Sequence, residues 1–406
     1  MSLLNAVRTG CAFVSLILAG ATAQAAVDAW TDTTVGTGVI WRQKTYTSLY
    51  GGKQTVNVLQ MEMSNSAVRV QPLQPASGCA TTSALGSSFG AAAAVNAGFF
   101  AGGDCSSVSM IKINNVISAV NPGYKPPRST FGYNRTTKGL FIAPISSTDS
   151  WSAVNDAVGG GPNLVTNGAA DVTLTAEGFD SSYAAKNPRT AVGYAGTRLL
   201  FVTVDGRTSA GVGMTLNELA SFMIALGCNK AMNLDGGGST AMWINGQGVV
   251  NTPSDGSQRP VVSALGVFIS PPPTYTVDNT DAGFTASTSW FASTSTPGYL
   301  GSNYRTRATA AVSDAATWKV NLPAAGSYKV YARWTAGANR PTAVPYVVYH
   351  TGGSTTVNIN QQQNNATWVL LGTFNMAAGN STRVALSCWT TTGFYAVADA
   401  IKLEKQ

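Results

Sequence analysis

Short runs in which apolar and polar positions alternate dominate the chain, and helical periodicity surfaces in few places. Gln54 to Leu73 reads as two strands, Val56, Val58, Met61 and Met63 and then Val68 and Val70, broken by the polar turn Ser64-Asn65-Ser66. A short helix is expected over Thr81 to Ser88, and Ala91 to Val95 forms a small apolar strand ending at Asn96-Ala-Gly-Phe-Phe100. Leu199 to Val204 reads as a buried strand ending at Asp205-Gly-Arg207. The clearest helix follows. Thr215 and Glu218 fit a capping box, Leu216, Leu219, Ala220, Phe222, Met223 and Leu226 make one apolar stripe, and Gly227 closes it. Ala231 to Leu234 then feeds the stretch Asn233-Leu-Asp-Gly-Gly-Gly-Ser-Thr240.

Past Pro271-Pro-Pro273 the pattern becomes alternation alone, in Thr317 to Val320, Tyr328 to Trp334, Pro345 to His350, Thr355 to Asn360 and Thr367 to Leu371. Short strands at that spacing argue for a β-sandwich. The expected organisation is a leader over 1–25, a first domain over 26–270, a proline-rich linker over 271–274 and a β-sandwich over 275–406. The fold class is α+β, a mixed-sheet domain followed by an all-β one.

Composition narrows the setting. Only 11% of the 406 residues are charged. Arg8, the apolar run Ala12 to Ala21 and Ala23-Gln24-Ala25 read as a secretory signal cleaved near Ala25, which predicts a secreted or periplasmic protein. The apolar run is too short to span a bilayer, and no later run of suitable length exists. Loss of the leader removes Arg8 and no acid, so the formal charge goes from +7 to +6. That mild balance suits an anionic or cell-surface polymer, and no basic run marks nucleic-acid binding. Of five cysteines, Cys11 leaves with the leader; Cys79 and Cys105 flank one apolar segment in Gly/Ser-rich loops and are candidates to pair in an oxidising compartment. Cys228 and Cys388 read as buried thiols. The single histidine, His350, lies far from the glycine-rich stretch. Histidine-dependent triads and histidine-ligated zinc are therefore excluded from the first domain.

Chemistry concentrates around Asp235. Glycines at 236–238 permit positive φ and close approach of backbone amides, which together with Ser239 and Thr240 would cradle an anion. A tight turn with an exposed Asp would read the same way. If the strands ending at Asp205 and Asp235 run parallel, both carboxylates open on one sheet edge. Arg189 begins the strand that returns across the Ala195-Gly196 turn, so it reaches that edge, and Arg207 stands two residues past Asp205. Separate surface ion pairs are the alternative. An echo runs through the domain: Arg128-Ser-Thr-Phe-Gly-Tyr133 has the spacing of Arg189-Thr-Ala-Val-Gly-Tyr194, and Ile113-Asn114 with Val120-Asn121 and Arg128 matches Ile244-Asn245 with Val250-Asn251 and Arg259; chance resemblance in a Gly/Ala/Val-rich chain is the alternative. Two carboxylates suit glycoside cleavage, whereas arginines and amides suit a phosphate. Together they suggest a sugar linked through phosphate at its anomeric carbon, where the leaving group needs little general-acid help.

The motifs Asn96-Ala-Gly-Phe-Phe100, Gly159-Gly-Gly-Pro162, Arg189-Thr-Ala-Val-Gly193, Val204-Asp-Gly-Arg207, Met214-Thr-Leu-Asn-Glu-Leu-Ala220, Asn233-Leu-Asp-Gly-Gly-Gly-Ser-Thr240 and Val250-Asn251 with Arg259-Pro-Val261 resemble the phosphodiester glycosidase family, which includes the N-acetylglucosamine-1-phosphodiester α-N-acetylglucosaminidases. The resemblance covers about Thr45 to Ile269. It implies hydrolysis of a sugar-1-phosphodiester to free sugar and phosphomonoester. Asp205 and Asp235 take the acid, base or nucleophile work, undivided between them. Arg189, Arg207 and Arg259 go to phosphate, and Asn96, Gly98, Gly236, Gly237, Gly238, Ser239 and Thr240 line the pocket. No cofactor is established, and a divalent cation such as calcium held by the acids stays open.

In the second domain, Gly298-Tyr-Leu-Gly-Ser302, Gly326-Ser-Tyr-Lys-Val330, Val357-Asn-Ile-Asn-Gln361, Trp368-Val-Leu-Leu-Gly372 and Ala398-Asp-Ala-Ile401 resemble the golvesin C-terminal, xanthan-lyase type carbohydrate-binding domain. Trp318 and Trp368 are expected in the core, and Trp290, Trp334 and Trp389 as a glycan platform. Two other functions fit the sequence: a non-catalytic glycan-binding or surface-matrix protein, and a hydrolase or lyase of ordinary polysaccharide.

Overall fold

Alternation resolves into antiparallel sheet, with the strand pairings within every sheet antiparallel. The computed structural model describes residues 29–406, and the expected leader lies outside them. Two units separate between Ser270 and Pro271. Among the described residues no helix is long and apolar enough to cross a membrane.

In the first unit an eight-stranded sheet runs in the order Thr31–Gly36, Val39–Leu49, Gly52–Glu62, Arg198–Val204, Arg189–Ala195, Lys230–Asn233, Asn163–Thr166, Ala169–Ala170. Both of its faces are covered, which is why its central strands read as nearly continuous apolar runs. Val56, Val58, Leu200, Val202 and Val204 pack under helix α2 (Leu216–Ala225) with Leu216, Leu219, Phe222 and Met223. Leu59, Met61, Leu199 and Phe201 face the other way, toward Val70, Val95, Phe131 and Leu265 of two five-stranded sheets. The α+β class holds, with few helices: α1 (Thr82–Ser88) is capped by Thr81, and α2 carries the expected Thr215–Glu218 capping box. The two strands expected over 54–73 form as Gly52–Glu62 and Val68–Leu73, but in different sheets, because the turn between them is a corner and not a hairpin. Cys79 and Cys105 are joined by a disulfide, and Cys228 and Cys388 are buried free thiols.

The second unit holds sheets of four, five and three antiparallel strands around a core containing Trp290, Trp318, Trp334, Tyr328 and Tyr346. This corrects the tryptophan expectations. Trp290 and Trp334 are 1% and 0% exposed, and each indole donates to a backbone carbonyl, of Asp314 and Gln363 respectively. They are core residues and cannot serve as a platform in this conformation. Trp389 is exposed, and Trp368 is half-buried beside Lys402 instead of in the core. His350 ends its strand, stacks on Phe374 and meets Thr355, a structural position.

Candidate active site

Strand order assembles the site. The Arg189–Ala195 strand lies between Arg198–Val204 and Lys230–Asn233 and is antiparallel to both, so these two run in the same direction. Arg189 pairs with Val204, and Ala191 with Asn233. The chain therefore leaves the sheet at Asp205 and at Asp235 on the edge where Arg189 enters. A second sheet supplies Asn96, whose Nδ2 donates to the Asp235 carbonyl (2.6 Å) while its Oδ1 accepts from the Thr190 hydroxyl (2.7 Å) and the Ala241 amide (3.0 Å).

At this edge lies a cleft of about 340 Å³. Of the residues singled out from sequence, Arg189, Arg207, Asp235, Gly236, Gly237, Gly238 and Arg259 line it. Phe99, Ser182, Tyr183, Asn187 and Asn233 line it as well. Asn187 carried one local signal, the Asn187-Pro188 break, and the segment of Ser182 and Tyr183 carried none.

Asp235 is half-buried, and burial pushes its carboxyl up to about 6 while the Ser239 side chain, the Arg259 charge and the Gly236 amide pull back. Among the described residues it is the only carboxylate lining the cleft. Asp205 does not join it. That side chain is 0% exposed; its Oδ1 accepts from the Thr252 amide (3.0 Å) and its Oδ2 has no partner. Burial raises its pKa to about 6, against the opposing pull of Thr252 and Asn251. Since Asn251 donates to the Thr240 carbonyl (3.1 Å) and accepts from the Met242 amide (2.8 Å), Asp205 anchors the segment that braces the glycine loop.

The arginines differ in kind. Arg189 is 3% exposed, and its donors go to the carbonyls of Met214 (2.8 Å), Tyr183 (2.7 Å) and Ala185 (2.6 Å), not to a carboxylate. Burial first, then the neighbouring Arg207 charge, brings its pKa down to about 10 although Glu218 opposes. Arg207 is exposed, and its left-handed backbone (φ 57°) carries a guanidinium that donates to Asn187 Oδ1. Arg259 pairs with Asp255 at 2.7 Å. Two like charges beside a buried one favour an anion between them.

The glycine loop contributes less than its sequence suggests. Gly237 takes φ +60° and donates to the Pro188 carbonyl (2.9 Å), and the amides of Ser239 and Thr240 bond back to Gly236 and Gly237. Most amides are thus engaged, and guanidinium groups supply the positive field. Gly238 is needed for space: a Cβ there would lie 2.0 Å from Arg259 Nη2 and 2.2 Å from Asp255 Oδ2. Gly98, Asn96, Ser239 and Thr240 sit behind the cleft wall, and a Cβ on Gly98 would meet Ser109 Oγ at 2.4 Å. No group of three or more His, Cys, Asp and Glu gathers as a metal site among the described residues. A lone carboxylate among three arginines does not fit a divalent cation.

Comparison with known proteins agrees with the resemblances. Residues 89–268 match the phosphodiester glycosidase family, and residues 275–405 the golvesin C-terminal domain. Xanthan lyase of Bacillus sp. (strain GL1) is 38% identical over 135 residues, 32% of this chain. An SPbeta prophage-derived uncharacterised protein of Bacillus subtilis (strain 168) is 39% identical over 101 residues, 24% of this chain. The chain spans 14% of the length of each of these curated relatives. Among solved structures, a hypothetical protein from Synechocystis aligns with TM-score 0.51 at 17% identity over 60% of this chain and 64% of its own, which shows a shared fold. The catalytic domain of zebrafish N-acetylglucosamine-1-phosphodiester α-N-acetylglucosaminidase aligns with TM-score 0.48 at 18% identity over 59% of this chain and 87% of its own.

Proposed function

We propose that this chain, with a phosphodiester glycosidase domain followed by a golvesin C-terminal domain, is a secreted hydrolase that cleaves the anomeric C–O bond of a sugar-1-phosphodiester. The observation that carries the reading is one carboxylate of raised pKa facing three arginines in one cleft, Arg189 among them buried and without a carboxylate partner. Arg189, Arg207 and Arg259 hold the phosphate and take up the charge that develops as it leaves. A phosphomonoester departs readily, so the proton demand falls on the attacking water. Asp235, ionised above about pH 6, accepts that proton or attacks the anomeric carbon itself. One carboxylate then suffices where ordinary glycosides need two. Asp205 acts from behind by fixing Thr252. The second unit holds the enzyme on its polymer, with the exposed Trp389 as the remaining tryptophan candidate for glycan contact.

Asp235→Asn lowers sugar release from an N-acetylglucosamine-1-phosphodiester roughly 10²–10⁴-fold with the circular dichroism spectrum unchanged. In the wild type, kcat/KM rises through a limb near pH 6 that the variant lacks. Product analysis shows free reducing sugar and a phosphomonoester. A folded, fully active Asp235→Asn, or inorganic phosphate as the product, overturns the proposal.

A further inference from the structure

A second cavity, of about 280 Å³, adjoins the cleft: Phe99 and Tyr183 line both. Those rings and Phe179 pack together with centroids 5.5 to 6.2 Å apart, a shared aromatic wall. Across the wall lies Arg128, 8% exposed, with Cζ 4.2 Å from the Phe179 ring centre. Its Nε is buried without a hydrogen-bond partner, and no carboxylate pairs with it among the described residues. A buried guanidinium nitrogen left so is costly unless a ligand completes it, although Glu177 lies close enough to favour the charged form of Arg128. Lys125 and Tyr124, the latter 81% exposed, form the rim. The one carboxylate lining this cavity among the described residues, Asp180, already accepts from the Ser182 amide at 2.8 Å.

The internal echo explains why a second such place exists. Arg128 opens the buried strand Arg128–Tyr133 as Arg189 opens Arg189–Ala195, and burial lowers the pKa of both. The asparagines after the two matched hairpins also play one part. Asn121 Oδ1 accepts from the Met110 amide (2.9 Å) and Asn251 Oδ1 from the Met242 amide (2.8 Å). The hairpin match aligns Arg128 with the exposed Arg259 and the strand match aligns it with the buried Arg189; both of these line the cleft, while Arg128 lines the second cavity.

We propose that the Arg128 cavity binds a further phosphate of the same substrate, one sugar beyond the scissile linkage, so that the enzyme acts on a polymer of repeating sugar phosphates. The inference rests on the reading of the first cleft as a sugar-phosphate site. The aromatic wall receives the sugar face between the two phosphates, and Arg128 with Lys125 pairs the second phosphate by charge-assisted hydrogen bonds.

The test is calorimetric binding to Asp235→Asn of three probes: methyl N-acetylglucosamine 1-phosphodiester, a disaccharide carrying one phosphodiester, and a two-repeat N-acetylglucosamine 1-phosphate oligomer. The two-phosphate probe is expected to bind at least tenfold tighter than either other probe. Adding Lys125→Gln with Tyr124→Ala, both at exposed positions, removes most of that preference and leaves the one-phosphate affinities unchanged. Arg128→Gln removes it entirely if the variant folds; if it does not, the rim variants decide. Equal affinity for one and two phosphates, or rim variants that weaken every probe alike, overturns the inference. Failure of the wild type to turn over any probe while the preference persists sinks the hydrolase reading and leaves the second phosphate site standing.

Discussion

Two aspartates with nearly the same raised pKa occupy very different places. Asp235 looks into the cleft from beside a glycine loop, whereas Asp205 is sealed behind it with one oxygen satisfied and the other not. Burial is the leading cause in both, so the pKa alone does not separate the proposed catalyst from the brace. Access does. Asp205 also has a thermodynamic signature. Its folded pKa of about 6 lies above the unfolded value near 4, so the folded state holds the proton longer. Stability linked to Asp205 is intact below about pH 4, falls as pH rises to about 6, and stays lost above it, by up to about 3 kcal/mol. Denaturant unfolding at pH 4.5 and 7.5 should show this decline, and Asp205→Asn, which keeps an acceptor for the Thr252 amide, should flatten it. An unchanged slope would mean that Asp205 is hydrated or paired in solution.

At the scale of elements, the loop from Gly236 to Thr240 is a spacer between guanidinium groups more than a nest of free amides. Gly238→Ala should push Arg259 off Asp255, because the added Cβ would overlap the guanidinium at 2.0 Å. The expected result is a KM raised about tenfold, with the unfolding midpoint nearly unchanged, since the Arg259–Asp255 pair is exposed and contributes about 0–1 kcal/mol. Steady-state kinetics beside thermal unfolding checks both halves. Local pattern was enough to locate α2, its cap and the strand ends at Asp205 and Asp235, because capping and apolar periodicity are nearest-neighbour properties. It missed Ser182 and Tyr183, which enter the cleft from a short turn whose Tyr183 and Ala185 carbonyls hold Arg189. Nothing in the run Ser181-Ser-Tyr-Ala-Ala185 announces that partner.

The described residues form two units, each with its own core, and the proposed function assigns turnover to the first and attachment to the second. A chain ending at Ser270 should keep its turnover on soluble sugar-1-phosphodiesters within about twofold and lose retention on insoluble phosphoglycan. Pull-down against the full chain measures the difference. Loss of soluble turnover in a folded truncation would show that the second unit contributes more than attachment.

Sequence by itself located the main strands and α2 and the division near Pro271, and it offered Cys79 with Cys105 as a candidate pair and Asp235, Arg189 and Arg207 as candidates to share one sheet edge. These follow from periodicity, spacing and the direction of successive strands, all of which are local. Only the tertiary structure decided that Asp205 is walled off, that Trp290 and Trp334 are core, and that the loop amides are mostly engaged. Burial and hydrogen-bond partnership depend on which distant segment packs against a residue, and that choice is written nowhere in its neighbours.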